Sequence, residues 1–218
     1  MSRGHKRGSG ERSNMYSQSK FTNWRSFDPY TAEINALPSW TETNLTVETR
    51  LGNRIAIVVR DTHPNFLSPA TAQEVQDILL RVPPEFLAGL TTVYLLGGTS
   101  KQDKVAFGKL FRYGCYQFFN IYLHAFPKRM LTQRYSKLPP PDVMQEYERI
   151  GAKWIQDRDG WLFQFSLETL RAFYLRDVLL HEVGHHVDRP NLFSKNDADC
   201  ERYAHWFRTF CEQNLDSV

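Results

Sequence analysis

Residues 181–188 read HEVGHHVD. Histidines four apart on a helix stand one turn above each other, so His181 and His185 can converge on one ion with Zn–N bonds near 2.0–2.1 Å. Glu182 is rotated about 100° around the same helix, where it reaches a water beside the ion without being a ligand. A metal that polarises a carbonyl and a carboxylate that moves protons are the two parts needed to hydrolyse an amide. Two histidines do not hold a catalytic zinc alone. A third protein ligand is required, with one position left open.

The residues just after the helix do not supply that ligand in the metzincin manner, which wants a glycine at position 188 and a histidine at position 191. Asp188 and Asn191 stand there instead. The other solution is a carboxylate on a following helix. Residues 196–213 (NDADCERYAHWFRTFCEQ) form that helix, with Asn196 as N-cap and Cys200, Tyr203, Ala204, Phe207, Phe210 and Cys211 as its apolar face. Glu201 flanks this face beside Ala204 and can turn toward a metal between the helices. Asp197, one turn earlier on the same side, is the rival ligand. Asp188, three residues after His185, either orients a histidine through its second nitrogen or caps the helix.

With HEVGHHVD followed by ERYAHWF, the chain resembles the gluzincin type of zincin-like metallopeptidases. It is most similar to the group that includes the anthrax lethal factor catalytic domain, with its HExGHxxD segment and ExxAxxF helix. The resemblance covers roughly the last fifty residues. It implies zinc ligands at His181, His185 and Glu201, a single zinc per chain, and Glu182 as general base. It also implies a zincin-like domain in which a mixed, twisted sheet backs an active-site helix and a C-terminal glutamate helix. One departure stands out: no tyrosine lies between Asp188 and Glu201. The family's oxyanion-assisting tyrosine therefore has no counterpart, and Tyr203 and His205 are the candidates for its role. The expected activity is hydrolysis of a protein or peptide substrate. The alternative is a non-catalytic zincin-fold protein that binds or regulates, against which Glu182 argues.

These residues need elements to position them. Residues 167–188 read as one helix, with Ser166 as N-cap, Glu168 at the positive end of the dipole and Pro190 preventing extension. At about 100° per residue, Leu167, Leu170, Tyr174, Val178, His181 and His185 share one arc, so the histidines continue a buried stripe. RIAIVVRD (54–61) and TTVYLLGG (91–98) read as strands. Residues 71–81 form a helix ended by Pro83 and Pro84, and 113–126 hold one or two buried strands. Residues 142–156 are expected to be helical, and DGWLFQFS (159–166) a turn and short strand. That strand is a candidate edge for pairing an extended peptide, with Trp161 and Phe163 lining pockets or, alternatively, packing the core. Strands mixed with helices, then two helices, predict an α+β domain over 26–218.

Residues 1–25 carry six basic residues against Glu11 alone, a local charge of +5 in a chain of net +3. This Ser-, Gly- and Arg-rich segment reads as a disordered tail that can touch an acidic or nucleic-acid partner. Cys115, Cys200 and Cys211 are expected to be reduced, because Cys200 and Cys211 on one helix lie about 16 Å apart. Without a leader-like or membrane-spanning apolar run, the expectation is a cytoplasmic chain whose Asn44 sequon is silent.

Overall fold

The computed structural model describes residues 33–37, 45–105, 113–149, 151–189 and 196–215. The basic tail 1–25 and Pro190 lie outside the described residues. The architecture is α+β. Glu33 belongs to the folded body: its carboxylate accepts from the Gly98 backbone N–H (3.0 Å) and from Gln102 Nε2 (2.6 Å).

Five strands form the main sheet. They are β1 (Leu45–Glu48), β2 (Arg54–Val59), β4 (Thr92–Leu95), β5 (Gly114–Gln117) and β6 (Asn120–Leu123), in the order β1-β2-β4-β6-β5. The central three run parallel, with Ile57 beside Val93 and Val93 beside Ile121. All three side chains share one face of the sheet and are fully buried, while Ala56 and Tyr94 on the other face are half-buried. The edge strands β1 and β5 pair antiparallel to their neighbours. A short ribbon, β3 (Phe66–Leu67) with β7 (Phe126–Pro127), lies beyond the sheet. Helix α1 (Ala72–Arg81) packs on β1 and β2. Thr71 and Glu74 close its first turn with a reciprocal capping box, and Val75 and Leu79 enter the core. Helix α2 (Ser100–Val105) follows β4.

A second, antiparallel sheet has the order β8 (Thr132–Tyr135), β10 (Gly160–Gln164), β9 (Lys153–Asp157). Two expectations change here. The helix expected over 142–156 is α3 (Pro141–Arg149) only, and its second half is strand β9. Gly151 causes the break: it takes φ +84, and the bonds Gly151 N–H to Glu148 O and Ala152 N–H to Tyr147 O close the helix. The segment 159–166, expected at an edge, is instead the central strand of its sheet, so its backbone groups are used by β8 and β9. Phe163 is 2% exposed and packs on Tyr147, Trp154 and Phe165, while half-buried Trp161 sits between Tyr135 and Gln156 in the ladder. Phe163 is core, not a pocket wall.

The aromatic core joins this sheet to the helices. Tyr147, Phe163, Phe165 and Phe173 form a chain of ring contacts that reaches Tyr113, Phe126 and Tyr174. The helix expected over 167–188 is three pieces: α4 (Leu167–Ala172), a π-helical turn (Phe173–Val178) and α5 (Leu179–Val187). Ser166 caps α4 as expected, accepting from the Thr169 N–H at 3.0 Å. The wide turn changes the phase, since Leu179 N–H bonds Tyr174 O, five residues back. Leu167, expected on the buried stripe, is 60% exposed. Helix α6 (Asp197–Leu215) completes the described chain, with Asn196 Oδ1 accepting from the Asp199 N–H at its start. No helix among the described residues is long and apolar enough to cross a membrane.

Candidate metal and catalytic site

Helix α5 lies between β5 and β6 on one side and α6 on the other. Its approach to α6 depends on Gly184, inside the HEVGH segment. A Cβ at Gly184 would stand 2.7 Å from Ala204 Cα and 3.1 Å from Ala204 O. With no side chain at 184 and a methyl at 204, the two backbones touch. That contact carries Glu201, one turn before 205 on α6, to the histidines.

His181 Nε2 and His185 Nε2 are 3.0 Å apart; Glu201 lies 3.4 Å from the first and 3.7 Å from the second. Ligands of a tetrahedral zinc with bonds near 2.0–2.1 Å lie about 3.3 Å apart. Two imidazoles and a carboxylate at these separations fit that ion. These three residues are the one such group among the described residues. Asp197, the rival ligand, is exposed and outside the group. It falls on the first turn of α6, a full turn too early to face α5.

The charges around the group favour a cation. Burial holds His185 down to about 4, assisted by the neighbouring His181, so this ring is the neutral imidazole that ligates metals. Burial also opposes charge on His181, but the Glu201 and Glu182 carboxylates outweigh it and raise its pKa. Asp188 is 1% exposed and reaches His185 through an intermediary. His185 Nδ1 lies 3.2 Å from Cys200 Sγ, and the Cys200 thiol is hydrogen-bonded to Asp188. Burial pushes that thiol up to about 12, with Asp188 adding to the effect, so sulfur keeps its proton for the carboxylate. Nδ1–H then donates to sulfur, and Nε2 keeps its lone pair toward Glu201 and His181. The sequence reading placed Cys200 on the apolar face alone; its role as a bridge depends on the depth of the α5–α6 contact, which no local pattern shows.

Glu182 faces the sheet edge. It is 6% exposed, and its carboxylate accepts from the Tyr116 backbone N–H of β5. Burial raises its pKa to about 7, which the charge of His181 and the Tyr116 bond partly offset. Gly114 makes room for it: a Cβ there would stand 2.7 Å from Val178 Cγ1 and 3.2 Å from Glu182 Oε1. Neither Gly114 nor Tyr116 is marked by the HExxH pattern, since both come from another strand.

The third histidine, His186, is structural. It is 1% exposed, with Nε2 bonded to Ala88 O (3.2 Å) and Nδ1 near Tyr116 Oη (3.3 Å) and Arg189 Nη1 (3.0 Å). Burial first, and Arg189 second, hold it down to about 4. Of the two oxyanion candidates, Tyr203 stacks on Phe207 and lies tilted against Trp206, and its pKa is raised by burial first and Asp188 second. His205 is exposed, lies one turn beyond Glu201, and is electrostatically coupled to His181. Arg208 Nη2 sits 3.3 Å from His205 Nε2, while Arg208 Nη1 is bonded to the buried Asp177 of the π turn. Compared with protein-family models, with curated proteins and with solved structures, the chain matches none.

Proposed function

We propose that this protein is a zincin-like, zinc-dependent peptidase with His181, His185 and Glu201 as metal ligands and Glu182 as general base. The observation that carries the reading is the spacing of the three donor atoms beside a buried glutamate that is not one of them. Zinc held there would supply Lewis acidity, polarising a carbonyl and bringing the pKa of a water toward neutrality. Glu182 takes the proton of the attacking water and gives it to the leaving amine, a task suited to a buried carboxylate held beside the three donors by the Tyr116 N–H. His205, with Nε2 occupied by Arg208, presents Nδ1–H to the developing oxyanion. Cys200 and Asp188 hold the His185 ring in its ligating tautomer.

The strand that offers its edge to a peptide is β5, not the segment 159–166. Among the described residues β5 ends the main sheet, and it runs beside α5. Substrate is therefore a peptide segment in extended conformation, paired along β5.

The test is metal analysis followed by cleavage of a broad peptide set with and without chelator. About one zinc per chain, lost in His181→Ala and His185→Ala, and cleavage that chelator abolishes, are the expected results. Wild-type protein that takes up no zinc would overturn the reading. Fully loaded protein that cuts nothing would leave the alternative, a zincin-shaped binding protein.

A further inference from the structure

The β5–β6 hairpin turns on two phenylalanines. Phe118 and Phe119 both take left-handed backbone conformations, φ 50 and 66. A two-residue turn of this kind is most easily made by Asn-Gly, and bulky residues are strained there. The rings do not compensate by burial, since Phe118 is 78% and Phe119 49% exposed. With Tyr116 and Arg189 they line an open, nearly wholly apolar concavity of about 320 Å³. Its far wall is fixed: the Arg189 guanidinium stacks on Phe119 at 4.6 Å, bonds Ala88 O and contacts His186 Nδ1.

This concavity shares Tyr116 with β5, the last strand of the main sheet among the described residues. Gln117 and Asn120 close the two-residue turn, and Tyr113 O accepts from His124 N–H at 2.9 Å. Alternation of the ladder then turns the backbone groups of Gly114 and Tyr116 away from β6; the Tyr116 N–H is taken by Glu182, which leaves the Gly114 N–H and C=O and the Tyr116 C=O facing outward. Glu182 lies against those two residues. A peptide paired there with its reacting carbonyl beside Glu182 has a side chain about 6.6–6.8 Å further along, two residues on, at the hairpin tip.

We propose that the hairpin tip is a substrate subsite for one large apolar side chain. It lies about two residues N-terminal to the cleaved bond of a peptide paired antiparallel to β5. This deepens the peptidase reading and rests on it for the position of the cut. The class of side chain follows from the walls. Three aromatic rings favour Leu, Met or Phe, the fixed charge of Arg189 disfavours Lys and Arg, and the volume admits one side chain rather than a folded ligand.

The test uses the zinc-loaded Glu182→Gln protein and a positional library of extended peptides, with binding read by fluorescence anisotropy. One position should prefer large apolar residues over Ala, Lys and Glu by at least about tenfold, the scale of burying one such side chain. Phe118→Asn with Phe119→Gly keeps the turn and relieves its backbone, so this double variant should match or exceed the parent in Tm while losing the preference. An unchanged preference in the double variant overturns the proposal. So does a marked fall in Tm, which would make the rings packing elements. If wild type cuts nothing yet the preference is present and the double variant removes it, the subsite stands and the peptidase reading falls. If wild type cuts with a pattern the double variant leaves intact, the reverse holds.

Discussion

Asp177 and Glu182 are both buried carboxylates, five residues apart on one continuous helical run; burial raises the pKa of each, and they differ in what faces them. Asp177, on the π turn, is bonded by Arg149 and by Arg208, and Arg149 is bonded in turn by Glu212 at 2.6 Å. Two arginines meet two acids, so the charges balance. Glu182 has a single backbone N–H from Tyr116 and no arginine, and burial lifts its pKa to about 7. A balanced carboxylate fixes helices relative to each other. An under-compensated one is poised to gain and lose a proton. The same helical run thus has an arginine-anchored end and, at Glu182, the end to which the proposed proton transfer is assigned.

Four substitutions sharpen or break this contrast. The largest effect is expected from Glu182→Gln, which should lower turnover by about 10²–10⁴-fold while zinc content and Tm stay near wild type. Equal cleavage by this variant and wild type would move the chemistry elsewhere. Asp177→Ala should do the converse. It leaves two arginines without their buried partner and should cost about 3–5 kcal/mol in urea unfolding, while the folded fraction still binds zinc. Intact stability would show that the anchoring end anchors nothing. Next, Asp188→Ala should weaken zinc binding by about 10–100-fold, read by competition with a chromophoric chelator, because the Cys200 bridge to His185 loses its far support. Smallest is Gly184→Ala, whose added methyl meets Ala204 and should cost about 1–3 kcal/mol. A measurable drop in zinc affinity should accompany it as Glu201 is pushed back, and a neutral result would mean the helices have slack at this crossing.

Much of the frame was legible because it is local. The β-branched run that forms β2, the helical spacing of α1, and the caps at Ser166 and Asn196 each act within a few residues. The approach of His181, His185 and Glu201 was also readable, since i, i+4 spacing and one flank of the next helix determine it. What escaped depends on distant neighbours. Gly151 ends α3 through a left-handed residue that the apolar pattern of 142–156 conceals. Strand β10 is central only because β8 and β9 both find it. Cys200 becomes a bridge, and Gly114 a notch for Glu182, only once separate elements are pressed together.

The π turn has one more consequence, for the length of the chain itself. A turn closed by bonds five residues back holds one residue more than the α-helix that would span the same rise. Seen this way, α4 and α5 are one ordinary helix into which an extra residue has been spliced between Phe173 and Val178. Removing one residue there would let the ladder re-form, with Ser166 still capping one end and the histidines still one turn apart at the other. What would be lost is the bond from Arg208 to Asp177, and with it the anchor of the guanidinium that contacts His205 Nε2. A gap of one in this stretch of a sequence alignment is therefore the mark of a different wiring behind an identical HExxH.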